Sequence, residues 1–215
     1  MLERWRKALT AVVRLPAAWL VRHHVSPNTV TAAGTALFAA AAIATVPWGF
    51  HVVAAPVIVV LALTDGIDGQ MARATQPTRF GAFLDSTLDR LGDGALAGSL
   101  VVWFARRHGA EGLVWDGVSA QWAADTRTLW VAVAVLALIL GQVIPYARAR
   151  AESVGLTGTG GPLGRTDRTA ISCLALFSAG LGVPYALEAG VALIALLGVV
   201  TAGRRVAAAH QSAAD

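Results

Sequence analysis

The stretch LTDGIDGQMARATQPTRFGAFLDSTLDRLGDG, residues 63–94, decides what kind of protein this is. It holds five of the nine Asp in the chain, at positions 65, 68, 85, 89 and 93, within segments otherwise apolar enough to span a bilayer. An ionised carboxylate in a membrane helix is costly unless it is paired or bound to an ion, so acids kept there point to function. Asp65 and Asp68 stand three apart and Asp85 and Asp89 four apart, which puts each pair on one face of its helix. Gln76-Pro77 and their neighbours supply a turn that makes the two helices antiparallel. Both pairs lie a similar short distance from that turn, so four carboxylates converge near one end.

Four like charges at close range repel. Either some stay protonated, or one or two divalent cations with a preference for hard oxygen ligands, Mg²⁺ or Mn²⁺, lie among them. Gly66, Gly69, Gly81, Gly92 and Gly94 accompany the acids and let a ligand approach the helix backbone. Arg73, four residues beyond Gly69, sits on the same broad face and suits a phosphate. A dinuclear metal site beside an Arg is the usual arrangement for phosphoryl transfer. The blander readings are an ion-pair network with Arg73 and Arg90, or an ion pathway in a transporter. Asp93 continues the Gly81, Asp85, Asp89 stripe and suits a supporting hydrogen bond better than metal ligation.

Outward from this stretch, composition fixes the environment. Of 215 residues, 56% are hydrophobic and 14% charged, where a soluble domain carries roughly 25% charged residues. Such a chain has too little polar surface for a water-soluble enzyme and is too apolar for disorder. Its lone cysteine, Cys173, excludes an internal disulfide, and with scattered histidines it offers no zinc site. A span needs about 20 apolar residues, and six candidates appear: about Pro27–Val46, Phe50–Ala72, Arg79–Phe104, Leu129–Ala149, Thr166–Leu181 and Pro184–Ala202. Polar residues from Arg106 to Arg127, and a Gly-rich stretch from Gly155 to Gly164, read as loops.

The formal charge of +4 reflects membrane topology rather than nucleic-acid binding. With six spans both termini share a side, and that side collects thirteen Arg and Lys against three on the other, which places it in the cytoplasm. Met1–His24 carries Arg4, Arg6, Lys7, Arg14 and Arg22 among apolar residues and reads as an amphipathic helix on the membrane surface, not a signal peptide. The expectation is an all-α integral membrane protein forming one domain over residues 1–215. Residues 1–25 make a juxtamembrane helix and 26–205 a bundle of six transmembrane helices. No internal repeat and no soluble second domain is visible.

The motif Asp65-x-x-Asp68-Gly69-x-x-Ala72-Arg73, followed by Gly81-x-x-x-Asp85-x-x-x-Asp89, resembles the signature of the CDP-alcohol phosphatidyltransferase family. All four Asp, both Gly, the Ala and the Arg match. Seven residues separate Arg73 from Gly81, one fewer than usual. The motif covers 25 residues, and the hydropathy pattern extends the likeness to the whole chain. The resemblance implies a cell-membrane enzyme of phospholipid biosynthesis that moves a phosphatidyl group from CDP-diacylglycerol to an alcohol and releases CMP. Carried over residue by residue, Asp65, Asp68, Asp85 and Asp89 hold two metal ions (Mg²⁺ or Mn²⁺), and Asp89 is also the general base. Gly69, Arg73 and Thr78 meet the nucleotide. Asn28, Thr29, Val30 and Thr31, after Ser26-Pro27, resemble the family's N-terminal nucleotide-binding turn, while also suiting a plain helix cap.

For the acceptor, Gln142-Val143-Ile144-Pro145-Tyr146-Ala147-Arg148-Ala149-Arg150-Ala151-Glu152 is similar to the Tyr-x-Lys-Ala-Arg-Ala-Glu segment of the family's inositol-phosphate-accepting members. Gly164-Arg165-Thr166-Asp167-Arg168 resembles the basic segment that opens their next helix. Arg148, Arg168 and Arg205 on one cytoplasmic pocket would suit a phosphorylated acceptor. Arg148 replaces a usual Lys, which leaves glycerol 3-phosphate as the nearest alternative acceptor. In other classes, a small transporter would place its acids at midplane and show a repeat, and a membrane prenyltransferase would carry two distant Asp-rich copies. A homodimer is expected, and no nucleic-acid partner.

Overall fold

A computed structural model of the chain describes its backbone over residues 13–106 and 120–214, and its side chains over residues 13–106 and 126–214. The regular elements are helical throughout these residues. They are α1 (residues 13–22), α2 (Pro27–Thr45), a 3₁₀ turn (Val46–Trp48), α3 (His51–Ala62), α4 (Thr64–Thr75), α5 (Arg79–Arg106), α6 (Ala120–Ser153), α7 (Arg165–Gly180) and α8 (Ala186–Ser212).

Local chemistry sets the ends. Ser26 is extended (φ −77°, ψ 143°), and its hydroxyl accepts the Thr29 N–H at 3.1 Å while Pro27 opens α2. That satisfies one orphan donor of the first turn, and the missing N–H of proline leaves one fewer to satisfy. At the other end Pro47 and Gly49 (φ 82°) turn the chain into α3. The span expected over Phe50–Ala72 is one apolar rod interrupted at Leu63, where α3 stops and α4 begins.

Helix α2 is the hub, packing on α3, α4 and α5; α6 packs on α5 and α8, and α7 on α3 and α8. One core joins Phe38, Ile58, Leu96, Phe104, Leu176 and Val191, and a second joins Leu140, Ile144, Leu163 and Ile194. Between helices in lipid the hydrophobic effect distinguishes little, so close packing of small residues carries the association. A Cβ on Gly190 of α8 would lie 2.6 Å from that of Ala175 on α7, and one on Gly198 3.1 Å from that of Leu140 on α6. The opposite faces carry exposed Leu37, Val60, Leu174 and Leu196. Such large apolar side chains turned outward suit hydrocarbon rather than water.

Among the described residues four helical stretches are long and apolar enough to cross a membrane: Pro27–Trp48, His51–Thr75, Thr126–Ser153 and Ala186–Ser212. The other two expected spans differ for distinct reasons. Helix α5 has the length, at 28 residues, but carries Asp85, Asp89, Arg90 and Asp93. Helix α7 has 16 residues, which reach only about 24 Å at 1.5 Å per residue. The loop expected from Arg106 to Arg127 is shorter than that, since α6 already begins at Ala120; residues 107–119 lie outside the described ones. Helix α8 runs ten residues past the expected end at Ala202, to Ser212. Of the expected surface helix, residues 1–12 also lie outside the description. In α1, Val13 and Ala17 are buried one turn apart while Leu15 and Trp19 face outward, and Val13 packs where α4 has Gly66.

Candidate active site

The acids are positioned by the start of α4 and the first three turns of α5. Thr64 turns its hydroxyl onto the Leu61 carbonyl at 2.6 Å, and its side chain lies against Gly34 of α2. A larger residue at position 34 would push α4 off α2. Helix α4 stops at Thr75 because Gln76 adopts a left-handed φ of 78° and Pro77 cannot continue the ladder. The Thr78 hydroxyl then accepts the Gly81 N–H at 2.9 Å and caps α5.

Between these elements lies a cleft of about 530 Å³, within the range of small-molecule sites. Its walls are Ser26, Asn28 and Thr31 of the α2 start, Asp65, Asp68, Gly69 and Arg73 of α4, Thr78 of the turn, and Gly81 and Asp85 of α5. Helices α4 and α5 each lean on α2, and the cleft is the gap left between them. One of its glycines, Gly81, has a steric reason to be there, and Gly69 does not. A Cβ on Gly81 would stand 3.0 Å from the Thr78 hydroxyl and 3.1 Å from the Asn28 Oδ1, and one on Gly69 would meet Arg73 Nη2 at 3.8 Å.

Asp65, Asp68 and Asp85 thus share the cleft as expected. Asp68 is buried, and its Oδ2 has no hydrogen-bond partner. Asp89 lies beside the cleft, tied in by a residue the sequence reading did not assign to the acids. Arg165, first in α7, meets Asp65, stands 2.7 Å from Asp89 Oδ1, and brings its Nε to 3.4 Å from Asp93 Oδ1. Arg90 is farther from Asp89 and Asp93, 3.9 Å from each. Among the described residues no three His, Cys, Asp or Glu side chains are gathered into a ligating group; a guanidinium stands among the carboxylates. The donor set still suits a hard divalent cation. Its acids offer oxygen alone, three of them open on one cleft, and a buried carboxylate oxygen without a donor is an unmet demand for positive charge.

The predicted nucleotide residues divide. Asn28, Thr31, Gly69, Arg73 and Thr78 line the cleft. Thr29 and Val30 do not: Thr29 is exposed, with its hydroxyl 2.7 Å from that of Ser26 as part of the helix cap. The three arginines expected around an acceptor each engage a different protein partner, and Arg148 and Arg168 lie near enough to Arg205 for their charges to act on it. Arg168 is buried and paired with Asp93. Arg148 pairs with Glu152 one turn on at 2.7 Å. Arg205 donates to the Ile144 carbonyl at 2.5 Å and to that of Gly160 at 3.3 Å, tying the 155–164 loop to α6 and α8. Asp93 takes the supporting role expected of it.

Known proteins resemble the chain along nearly its whole length. Residues 24–202 match the profile of the family described as CDP-alcohol phosphatidyltransferase. The chain is 36% identical over 224 residues to the phosphatidylinositol phosphate synthase of Streptomyces avermitilis, covering 100% of this chain and 85% of that one. It is 32% identical to the enzyme of the same name from Corynebacterium glutamicum, over 96% of this chain and 88% of that one. Among solved structures, Mycobacterium tuberculosis phosphatidylinositol phosphate synthase with CDP-DAG bound superposes with a TM-score of 0.79 at 32% identity, covering 96% of this chain and 95% of that one. The same enzyme in complex with manganese and citrate gives 0.75 at 33% identity, over 95% and 90%.

Proposed function

The chain belongs to the CDP-alcohol phosphatidyltransferase family, and we propose that it transfers the phosphatidyl group of CDP-diacylglycerol to an inositol phosphate, giving phosphatidylinositol phosphate and CMP. It is an enzyme of phospholipid biosynthesis in a helical membrane protein. The observation that carries the reading is the cleft, in which three motif acids, Arg73, Asn28 and Thr31 face one volume suited to a nucleotide diphosphate. The names of the relatives support an inositol phosphate as the acceptor.

Asp65, Asp68, Asp85 and Asp89 are the residues that would hold divalent metal, as two ions. When bound, the metal supplies positive charge to the diphosphate and to the oxygen that leaves with CMP. Arg73 adds a forked donor for a phosphate at the cleft wall. Asn28, Thr31 and Thr78 provide neutral polar contacts for the nucleotide. The Asp89 carboxylate takes the proton of the acceptor hydroxyl as its oxygen forms the new bond to the phosphatidyl phosphorus. The bond from that phosphorus to the bridging diphosphate oxygen breaks, and CMP carries the electron pair away. Lipid tails lie among the outward apolar faces.

In the membrane the chain is read as six spans, with α5 and α7 joining the four apolar ones and the amphipathic N-terminal helix lying on the surface. The termini and cleft face the cytoplasm of a cell membrane, following the arginine bias. The active unit is read as a homodimer. CMP release by purified protein from CDP-diacylglycerol with Mg²⁺ tests the function, with myo-inositol 1-phosphate, its 3-phosphate, glycerol 3-phosphate and free inositol compared. Release with an inositol phosphate alone is the expected result. Release with glycerol 3-phosphate alone would keep the chemistry and replace the acceptor.

A further inference from the structure

Arg165 stands where the proposed reading puts metal. Its Nη1 meets Asp65 of α4 and lies 2.7 Å from Asp89 of α5, so one guanidinium bridges both acid-bearing helices. Those helices pack on α2, and Arg165 gives them a charge link across their gap. We infer that Arg165 is a resident counter-ion that holds Asp65 and Asp89 together in the metal-free protein and competes with the divalent ion for the same oxygens. The inference rests on the reading of those acids as metal ligands.

The physical reason is that both occupants need the same lone pairs. A guanidinium N–H pointed at a carboxylate oxygen occupies a lone pair that a bound metal would also need. Two cations cannot crowd one oxygen in a partly buried site without strong repulsion. Arg165 brings one delocalised charge, matched in shape to carboxylates, whereas an ion brings two. The acids are therefore kept paired without metal and yield to it.

The surroundings supply an alternative partner for the displaced side chain. Asp93, one turn beyond Asp89 on α5, already lies 3.4 Å from the Arg165 Nε. Helix α7 has its own anchors, the Arg168–Asp93 pair and its packing on α3 and α8. Release of Arg165 from Asp65 and Asp89 is then a side-chain swing and leaves the helix in place.

The test is a Mn²⁺ titration of chelator-stripped protein in detergent, followed by the electron paramagnetic resonance of free Mn²⁺. Wild type, Arg165→Gln, Arg165→Lys, Asp65→Asn and the Asp65→Asn/Asp89→Asn double variant are compared. Removing charge-assisted bonds from the ligand oxygens should tighten Mn²⁺ binding about tenfold or more in Arg165→Gln. Arg165→Lys should fall between, with a charge but no fork. Metal-free Arg165→Gln should melt below metal-free wild type and gain more on adding Mn²⁺. Equal or weaker Mn²⁺ binding by Arg165→Gln, while wild type binds and Asp65→Asn does not, would overturn the competition and leave the metal reading standing. Where Arg165→Gln does not fold, an Arg165→Lys affinity no tighter than wild type does the same. Wild type binding no more Mn²⁺ than the double variant would remove the metal reading and this inference together.

Discussion

Small residues are used in opposite ways at two places in this molecule. Along the α8 seam, Gly190 and Gly198 let Ala175 and Leu140 approach so closely that no space remains. At the mouth of the α4–α5 gap, Gly69 and Gly81 stand beside Arg73, Thr78 and Asn28 and line a cleft of about 530 Å³. What differs is the partner. The seam is glycine against aliphatic side chains, which close on each other in lipid. The cleft is glycine against charged and amide groups, which need something to bind. A glycine count says nothing of which role a position plays; the chemistry facing it does.

The sharpest way to break the contrast is to spoil the polar side alone. Asp89→Asn keeps size and shape, so the protein should still fold, while CMP release falls about 10³-fold or more if this carboxylate takes the proton. A folded and active Asp89→Asn would remove the base assignment. Stripping divalent metal should abolish CMP release as fully, and Mn²⁺ or Mg²⁺ should restore it. Activity that persists in excess chelator would make the acids structural.

On the packed side the expected change is in stability. Gly190→Leu forces a branched side chain where a bare Cβ already lies 2.6 Å from Ala175, and overpacking of this kind costs about 1–3 kcal/mol. Thermal unfolding in detergent should move down, while the KM values of the fraction that folds stay near wild type. Gly81→Ala is the mirror case. Its Cβ would press Asn28 and Thr78, and a small misplacement at a binding wall should lower kcat/KM for CDP-diacylglycerol about tenfold with little change in melting. If Gly81→Ala instead unfolds the protein, the cleft is as tightly packed as the seam and the distinction fails.

The smallest effect should come from Arg148→Ala. Its pair with Glu152 is exposed, at 56% and 52%, so its loss should move stability by less than about 1 kcal/mol. A selective rise in KM for the inositol phosphate would place Arg148 at the acceptor site. No kinetic change would leave it to the Glu152 pair alone.

The acids and the helices bearing them were legible because carboxylates in apolar segments are rare and a helix's 3.6-residue period fixes which of them share a face. The start of α2 was equally plain, since Ser26-Pro27 both caps and opens a helix. The break at Leu63 was not. Val60-Leu61-Ala62-Leu63 is apolar throughout, and the interruption depends on Thr64 turning onto Leu61 and packing against Gly34. Nor was the place of Arg165 among the acids. Read along the chain it is one cation in a basic loop, and only folding carries it one hundred residues back to Asp65. The partners of Arg148, Arg168 and Arg205 were hidden for the same reason. A guanidinium has a long reach, and its nearest acid or carbonyl in space (Glu152, Asp93 and Ile144 here) is not visible from its own segment.

Because α4 and α5 are both set against α2, the width of the gap is dictated by a third helix, as the spacing of two jaws is dictated by the frame of a caliper. The settings of that frame are Gly34, which meets Thr64 of α4, and Phe38, which faces Gly92 of α5. Neither bears a charge or lines the cleft. Resizing them would reset the width of the cleft, with every acid of the motif left untouched.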